Sequence, residues 1–156
     1  MLRLAGLLLL ALLSGCQLGY YGQAIGGHWS LMAKREPLDK VLDDPHTSDR
    51  LASQLRLSRR VLAFAGQQLE LPADHVYHQY VALDRDAVVW NVLAAPRFSL
   101  TPKTWCYPLL GCVSYRGYFH REAAERQARV LADKGLDSYV SGAIAYSTLG
   151  WFDDPL

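Results

Sequence analysis

The sequence predicts an α+β fold, in which helices come first and a small, mostly antiparallel sheet with one further helix follows. Two observations indicate this class. Apolar residues recur at helical spacing through residues 20–69, whereas β-branched and aromatic residues between turn-forming residues dominate residues 75–119. The 156 residues contain no internal repeat, low-complexity tract or second domain. We therefore expect a single domain.

The N-terminal residues have the order of a bacterial lipoprotein signal. Arg3 is a short basic start, residues 4–13 are apolar, and two small residues precede Cys16. The apolar run is too short to cross a membrane as a helix. We expect residues 1–15 to be removed as a signal peptide and Cys16 to carry a lipid. The alternatives are an ordinary cleaved signal peptide with an incidental cysteine, and a buried N-terminal helix.

This signal predicts a lipid-anchored protein at the periplasmic face of a bacterial membrane. Gln17 is not an acidic retention signal, so resemblance to Gram-negative lipoproteins favours the outer membrane. Loss of Arg3 leaves fifteen of the 16 basic residues beside 15 acidic ones, a net charge of zero with histidine neutral. No long basic run remains in the mature chain, so nucleic acid is excluded as a partner.

Helices are predicted as far as residue 72. Residues 20–42 have helical composition, although a glycine pair at 26–27 and Pro37 favour a break or kink. A second helix starts near Asp44 with Pro45, or near Thr47, and ends before Pro72. Its apolar stripe consists of Leu51, Leu55, Leu62, Ala65 and Leu69. Its other face carries Arg56, Arg59 and Arg60, for which a solvated face is favoured over contact with anionic lipid.

From residue 75 onward the composition becomes β-rich. Residues 75–83 and 87–93 flank a turn at 84–86, which predicts a β-hairpin. The remaining predicted elements are an extended stretch at 113–119, a helix at 121–134 capped by Gly135, and a final strand at 139–148.

Two cysteines, Cys106 and Cys112, remain once Cys16 carries the lipid. In an oxidising periplasm a disulfide between them is the favoured interpretation. A metal site is the alternative, but it needs further ligands at zinc spacing, and only His120 is near in sequence.

The common catalytic motifs are absent from the sequence. It contains neither the H-E-x-x-H of zinc peptidases nor the G-x-S-x-G of serine hydrolases. His75 and His78 would point to opposite faces of a strand, which disfavours a shared metal ion. The H-x-E at residues 120–122 lacks the P-C-x-x-C that deaminases need after it. No catalytic or metal-binding residue is therefore assigned, and no cofactor is expected in this chain.

Three segments are distinctive. Residues 115–119 and 146–152 join aromatic residues to glycine, and residues 153–156 are the closing Asp-Asp-Pro-Leu. Arg116 could form a bidentate ion pair with a carboxylate, either that of a bound peptide or that of an aspartate within the fold. The pair with an aspartate of the fold is favoured. Together with Tyr118 and Trp151, Arg116 forms our candidate substrate wall, although both aromatic residues also suit a core.

At these segments the chain resembles a bacterial family of predicted zinc aminopeptidases, lipoproteins of roughly twice this length. The resemblance covers essentially all of the mature chain, residues 16–156. It runs through Gly19, Tyr20, Tyr21, Gln23 and Ala24, through residues 88–96 and 105–112, through Y-R-G-Y-F at 115–119, and through Y-S-T-L-G-W-F-D-D-P at 146–155.

The resemblance implies a zinc-dependent metallopeptidase whose H-E-L-A-H helix follows the W-F-D-D-P segment. This chain ends at Leu156 before such a helix, so we expect the N-terminal part of an aminopeptidase domain, shortened by truncation, frameshift or a split gene. Zinc is expected for the full-length family, and peptides are the expected substrates. The alternative is a non-catalytic envelope lipoprotein that binds peptides or a partner protein, or that has a structural role.

Overall fold

The structure, a computed structural model, describes residues 18–107, 111–148 and 151–156. The α+β prediction is confirmed. The described helices are α1 (residues 18–32), α2 (Leu38–Asp43), α3 (Asp49–Leu69) and α4 (Arg121–Ala132). The strands are β1 (Glu36–Pro37), β2 (Gln79–Tyr80), β3 (Val89–Pro96), β4 (Trp105–Tyr107), β5 (Gly111–Val113), β6 (Arg116–Tyr118) and β7 (Leu136–Ala143). Cys16 and the predicted signal peptide lie outside the described residues.

The chain forms two compact units. Unit 1 comprises Val89–Gly142 together with the chain up to Ser30, and unit 2 comprises Leu31–Val88 and Ala143–Leu156. Each unit therefore combines segments that are distant in sequence.

The sheet of unit 1 has the strand order β6-β3-β7. Strands β3 and β6 are antiparallel, with Asn91 opposite Gly117. Strand β7 is also antiparallel to β3. The Val88 amide, just before β3, donates to Ala143 O at the end of β7, at 2.9 Å. Arg97, just after β3, pairs with Asp137 near the start of β7, with 3.7 Å between Nε and Oδ1.

The core of unit 1 lies between this sheet and α4. The helix contacts β3 and β6, and Ala124 and Val92 are fully buried where helix and sheet meet. The small side chain of Ala124 allows the helix to come close to the strand. The buried cluster consists of Val92, Ala94, Trp105, Tyr118, Ala124 and Leu131. As predicted, Gly135 follows the helix, and it adopts the left-handed conformation with φ +80°.

Strands β4 and β5 form a hairpin that carries the two remaining cysteines. Cys106 and Cys112 are directly opposite each other in the antiparallel register, and their sulfur atoms form a disulfide. The bond therefore connects two neighbouring strands.

Unit 2 is built on α3, which packs against α2. Leu55 and Ala52 of α3 are buried, and so is Leu38 of α2. The helix begins later than either predicted start. Its N-cap is Ser48, four residues after Asp44 and one after Thr47, which accepts from the Leu51 amide at 3.3 Å. The Thr47 hydroxyl instead donates to Val41 O at 2.6 Å.

One sequence prediction about backbone geometry is wrong and another is right in part. Residues 75–83 and 87–93 do not form a hairpin, since β2 pairs with β1 and β3 pairs with β6 and β7. Residues 20–42 are divided into two helices, but the break lies at residues 33–37, which include Pro37, and the glycine pair at 26–27 lies within α1. Gly27 is needed for packing instead, because a Cβ atom there would overlap the Phe119 ring.

The final strand also differs from its prediction. It spans Leu136–Ala143 and therefore starts three residues earlier and ends five residues earlier than the predicted 139–148. The later residues of that range belong to unit 2, where Thr148 contacts Asp154.

Candidate functional site

Strand β6 carries two residues of the predicted substrate wall. Arg116 and Tyr118 are two positions apart, so both side chains lie on the same face of the sheet. Tyr118 is buried, and Arg116 is half-buried. The structure thus brings these two residues together. The third residue, Trp151, belongs to unit 2 and is 72% exposed.

The Arg116 guanidinium stacks on an aromatic ring. Its Cζ atom lies 3.8 Å from the centroid of Tyr20, which α1 contributes to unit 1. A cation over a ring face at this distance is attracted by the ring quadrupole, an effect of about 0.5–2 kcal/mol depending on solvent exposure. This contact places the Arg116 charge against the Tyr20 ring.

Tyr20 belongs to a group of four tyrosines whose rings pack on one another, and we call this group the tyrosine cluster: Tyr20, Tyr21, Tyr107 and Tyr118. The ring centroid of Tyr20 lies 5.7 Å from that of Tyr118 and 5.8 Å from that of Tyr107. These spacings are typical of edge-to-face and tilted aromatic pairs. The cluster therefore joins α1, the β4–β5 hairpin and β6 within unit 1.

Two hydroxyls of the tyrosine cluster, those of Tyr107 and Tyr118, are held in the neutral form. Burial raises the pKa of Tyr107, and the interaction with the nearby Tyr20 hydroxyl adds to that rise. Burial likewise raises the pKa of Tyr118, while the Arg116 charge opposes the rise at both residues. A phenol with a raised pKa is a poor base near neutrality. The cluster can donate hydrogen bonds, but it lacks a group suited to general-base catalysis.

The outer edge of β6 is covered by a side chain of α1. The Gln23 amide nitrogen donates to Gly117 O at 3.3 Å, and the Phe119 amide donates to Gln23 Oε1 at 3.1 Å. The Gln23 side-chain amide thus makes the two hydrogen bonds with β6 that the backbone of a neighbouring strand would otherwise make. Gly117 is required on the other side, since a Cβ atom would lie 3.0 Å from Val89 Cγ1. This edge of the sheet is therefore closed to a peptide.

The other edge of the sheet is β7, and none of the described strands pairs with its outer side. Ala143 O accepts from the Val88 amide, so the N–H and C=O groups of Ala143 face β3. Because these groups alternate in direction along a strand, those of Ser138, Val140 and Gly142 face away from β3. Tyr139 on this strand is 68% exposed. An open strand of eight residues can receive a further strand.

Unit 2 contains a pocket of about 340 Å³. Its walls are mostly apolar with three tyrosines, and they are formed by Leu31, Tyr77, Tyr80, Val81, Leu83, Val88, Ile144, Ala145, Tyr146, Pro155 and Leu156. Tyr77 has a left-handed backbone, φ +61°, which is uncommon outside glycine. Its amide donates to Asp154 O at 2.7 Å, a bond that holds the pocket wall in place.

Asp154 lies beside this pocket wall and is 1% exposed. Its carboxylate accepts from the Thr148 amide and from the Thr148 hydroxyl, each at 2.7 Å. These two bonds close the turn that carries Trp151 and Phe152. The Y-S-T-L-G-W-F-D-D-P block is distinctive in the sequence, but the sequence alone does not show which of its polar groups become buried.

The described residues do not form a metal site. No group of three histidine, cysteine, aspartate or glutamate side chains within residues 18–107, 111–148 and 151–156 could hold an ion. His78 instead contacts Ala73 O through Nε2, at 3.2 Å. A zinc ion does not fit these residues, and no chemical step is assigned to one here.

Sequence reasoning missed Gln23, Tyr20 and Tyr107 as parts of the site. The aromatic pair at 20–21 and the tyrosine beside Cys106 were visible, but their association with Arg116 depends on contacts across almost 100 residues. Only the tertiary structure reveals such contacts.

Comparison with known proteins gives one match. Residues 19–156 match the family described as "Putative aminopeptidase". No curated protein and no solved structure matches the chain significantly. The family match covers almost all of the sequence, including the tyrosine cluster, β7 and the Thr148–Asp154 turn. The chain therefore belongs to this aminopeptidase family.

Proposed function

We propose that the chain is the substrate-binding part of a zinc-dependent aminopeptidase, anchored by a lipid on Cys16 at the periplasmic face of a bacterial membrane, with the outer membrane favoured. Three features support the proposal: membership of the aminopeptidase family, the order of residues around Cys16, and an open strand suited to an extended peptide.

The open edge of β7 is the observation that carries the proposal. An extended peptide can pair with the outward groups of Ser138, Val140 and Gly142 while β3 keeps its own bonds to the strand. Eight residues of strand span roughly 26 Å, enough to pair with several residues of a substrate. Since Gln23 closes the opposite edge of the sheet, β7 is the edge at which such a peptide would bind.

Zinc has no place among the described residues of this chain. In the proposed enzyme it is bound by other residues, and this chain contributes peptide binding and the membrane anchor. No residue of the chain is assigned as a zinc ligand or a catalytic glutamate.

A hydrolysis assay tests this division of roles. The chain from Gln17 to Leu156, purified without the lipid, should bind a short peptide and should not hydrolyse alanine p-nitroanilide when zinc is added. Robust turnover that a chelator abolishes would show that the chain has its own catalytic metal, and the division of roles would be wrong.

Metabolic labelling tests the anchor separately. Radioactive palmitate should enter the full-length chain in bacterial cells, and Cys16→Ser should prevent the labelling. The matched control is Cys106→Ser with Cys112→Ser, which should keep it. Labelling that survives Cys16→Ser would exclude a lipid at this residue.

A non-catalytic envelope lipoprotein that binds peptides or a partner protein is the second candidate. The open edge of β7 supports this candidate as well, because binding a peptide there needs no catalytic metal. The gene separates the two candidates, because an aminopeptidase requires an H-E-x-x-H segment encoded with this chain or beside it. Finding no such segment in any adjacent reading frame would favour the second candidate.

A further inference from the structure

Helix α3 has apolar residues on two opposite faces. Leu55 and Ala52 point into unit 2 and are buried. On the opposite face Leu57, Val61 and Phe64 are 51%, 57% and 56% exposed. We call these three residues the outer stripe. Their spacing of four and then three residues places them in one row along the helix.

Arginines accompany the outer stripe. Arg56 and Arg60 are exposed beside it, and among the described residues neither is ion-paired. Arg59, by contrast, pairs with Asp39. The one acidic residue of α3 is Asp49 at its first position, so nothing on the helix neutralises the arginines next to the stripe. The face therefore combines apolar side chains with positive charge.

This combination fits the surface of an anionic bilayer. A helix that lies in the interface inserts its apolar row among the acyl chains, while flanking arginines reach the lipid phosphates. None of the described helices has both the length and the apolar character needed to cross a membrane. With 21 residues, α3 would cover roughly 30 Å of membrane surface.

We propose that the outer stripe of α3, with Arg56 and Arg60, docks on an anionic phospholipid surface. The occupant is the lipid bilayer rather than a second copy of the chain or an acidic protein, because the row is narrow and apolar and the charge beside it is of one sign. The proposal rests on neither the peptidase function nor the lipid on Cys16, and its test uses the chain without that lipid.

Vesicle co-sedimentation tests the proposal with the chain from Gln17 to Leu156. It should bind vesicles of equimolar phosphatidylglycerol and phosphatidylcholine, and it should bind pure phosphatidylcholine far more weakly. Replacing the stripe by serine, Leu57→Ser with Val61→Ser and Phe64→Ser, should weaken binding at least about tenfold. Arg56→Gln with Arg60→Gln should weaken binding to the anionic vesicles about tenfold, because two cations near the surface are lost.

The matched control removes exposed apolar side chains elsewhere. Phe98 and Leu100 are fully exposed on a loop of unit 1, and changing both to serine should leave vesicle binding unchanged. All variants replace exposed side chains, and circular dichroism should show an unchanged fold. Equal binding by the stripe variant, or no binding of the unaltered chain to anionic vesicles, would overturn the proposal. So would a dimer that the stripe variant abolishes without any vesicle binding.

Discussion

Asp154 is the buried charged residue of the described chain, and Thr148 supplies two of its hydrogen bonds. A carboxylate removed from water is tolerated only where donors replace the lost hydration. The Thr148–Asp154 pair therefore stabilises the turn around Trp151 and, through Asp154 O, the backbone of Tyr77.

Replacing Asp154 by alanine should lower the free energy of unfolding by about 3 kcal/mol, because the Thr148 amide and hydroxyl lose a charged acceptor in a buried site. Urea unfolding measures the change. The neighbouring Asp153 is exposed, and Asp153→Ala should change stability by less than about 0.5 kcal/mol. Equal effects of the two variants would show that the buried pair is unimportant.

Tyr107 and Tyr118 should make stability depend on alkaline pH. Burial raises the pKa of both above the ordinary value of 10.0, so the folded state retains their protons where the unfolded state loses them. Their contribution is complete below about pH 10 and is lost as the pH rises through the folded-state pKa. The free energy of unfolding should therefore fall above about pH 10.

Changing both residues to phenylalanine should reduce this fall. Tyr139, which is exposed, provides the matched control, since Tyr139→Phe should leave the pH dependence unaltered. Tyrosinate absorbance should show the corresponding late titration in the unaltered chain. A pH dependence unaffected by the double replacement would contradict the burial of these hydroxyls.

At the scale of elements, the ends of α3 and α4 differ in a measurable way. The C-cap of α3 is Glu70, which has φ +52°, whereas the turn after α4 has a glycine, Gly135, with φ +80°. A left-handed conformation costs a residue with a side chain about 1 kcal/mol relative to glycine. Glu70→Gly should therefore stabilise the protein by about 0.5–1 kcal/mol, measured by urea unfolding.

The reverse replacement provides the comparison. Gly135→Ala should destabilise the protein by about 1–2 kcal/mol, because alanine is strained at a positive φ. No steric clash adds to this cost, since a Cβ atom at residue 135 would meet open space. A stabilising Gly135→Ala or a strongly destabilising Glu70→Gly would contradict these backbone conformations.

The helices followed from local patterns, but the pairing of strands did not. The stripe of α3 and the glycine after α4 were visible because helical contacts and caps involve residues three to five apart. Strand β3, however, pairs with β6 and with β7, more than twenty and forty residues further along the chain. Alternation indicates that a strand exists, and it does not identify its partner.

The candidate site was predictable in part for the same reason. Arg116 and Tyr118 share a strand, and strand periodicity places them together. Their association with Tyr20, and the cover that Gln23 provides for β6, depend on the position of α1 against the sheet. The sequence pattern predicts one apolar stripe on α3. The outer stripe is recognised only from the exposure of Leu57, Val61 and Phe64 in the structure.

At the scale of the whole molecule, each unit carries a different proposed task. Unit 1 has the open strand β7 and the tyrosine cluster, whereas unit 2 has the outer stripe of α3 and the buried Asp154. Peptide binding and membrane contact are thus assigned to different surfaces, and variants of one should leave the other unaffected.

The central claim is that an extended peptide binds along β7, and amide-resolved NMR tests it most directly. Titration of the chain from Gln17 to Leu156 with the pentapeptide Ala-Val-Thr-Val-Ala should shift and protect the amides of Ser138, Val140 and Gly142. The amides of β6, whose edge Gln23 covers, should change little. Shifts confined to β6 or to unit 2, or no shifts at all, would contradict the claim.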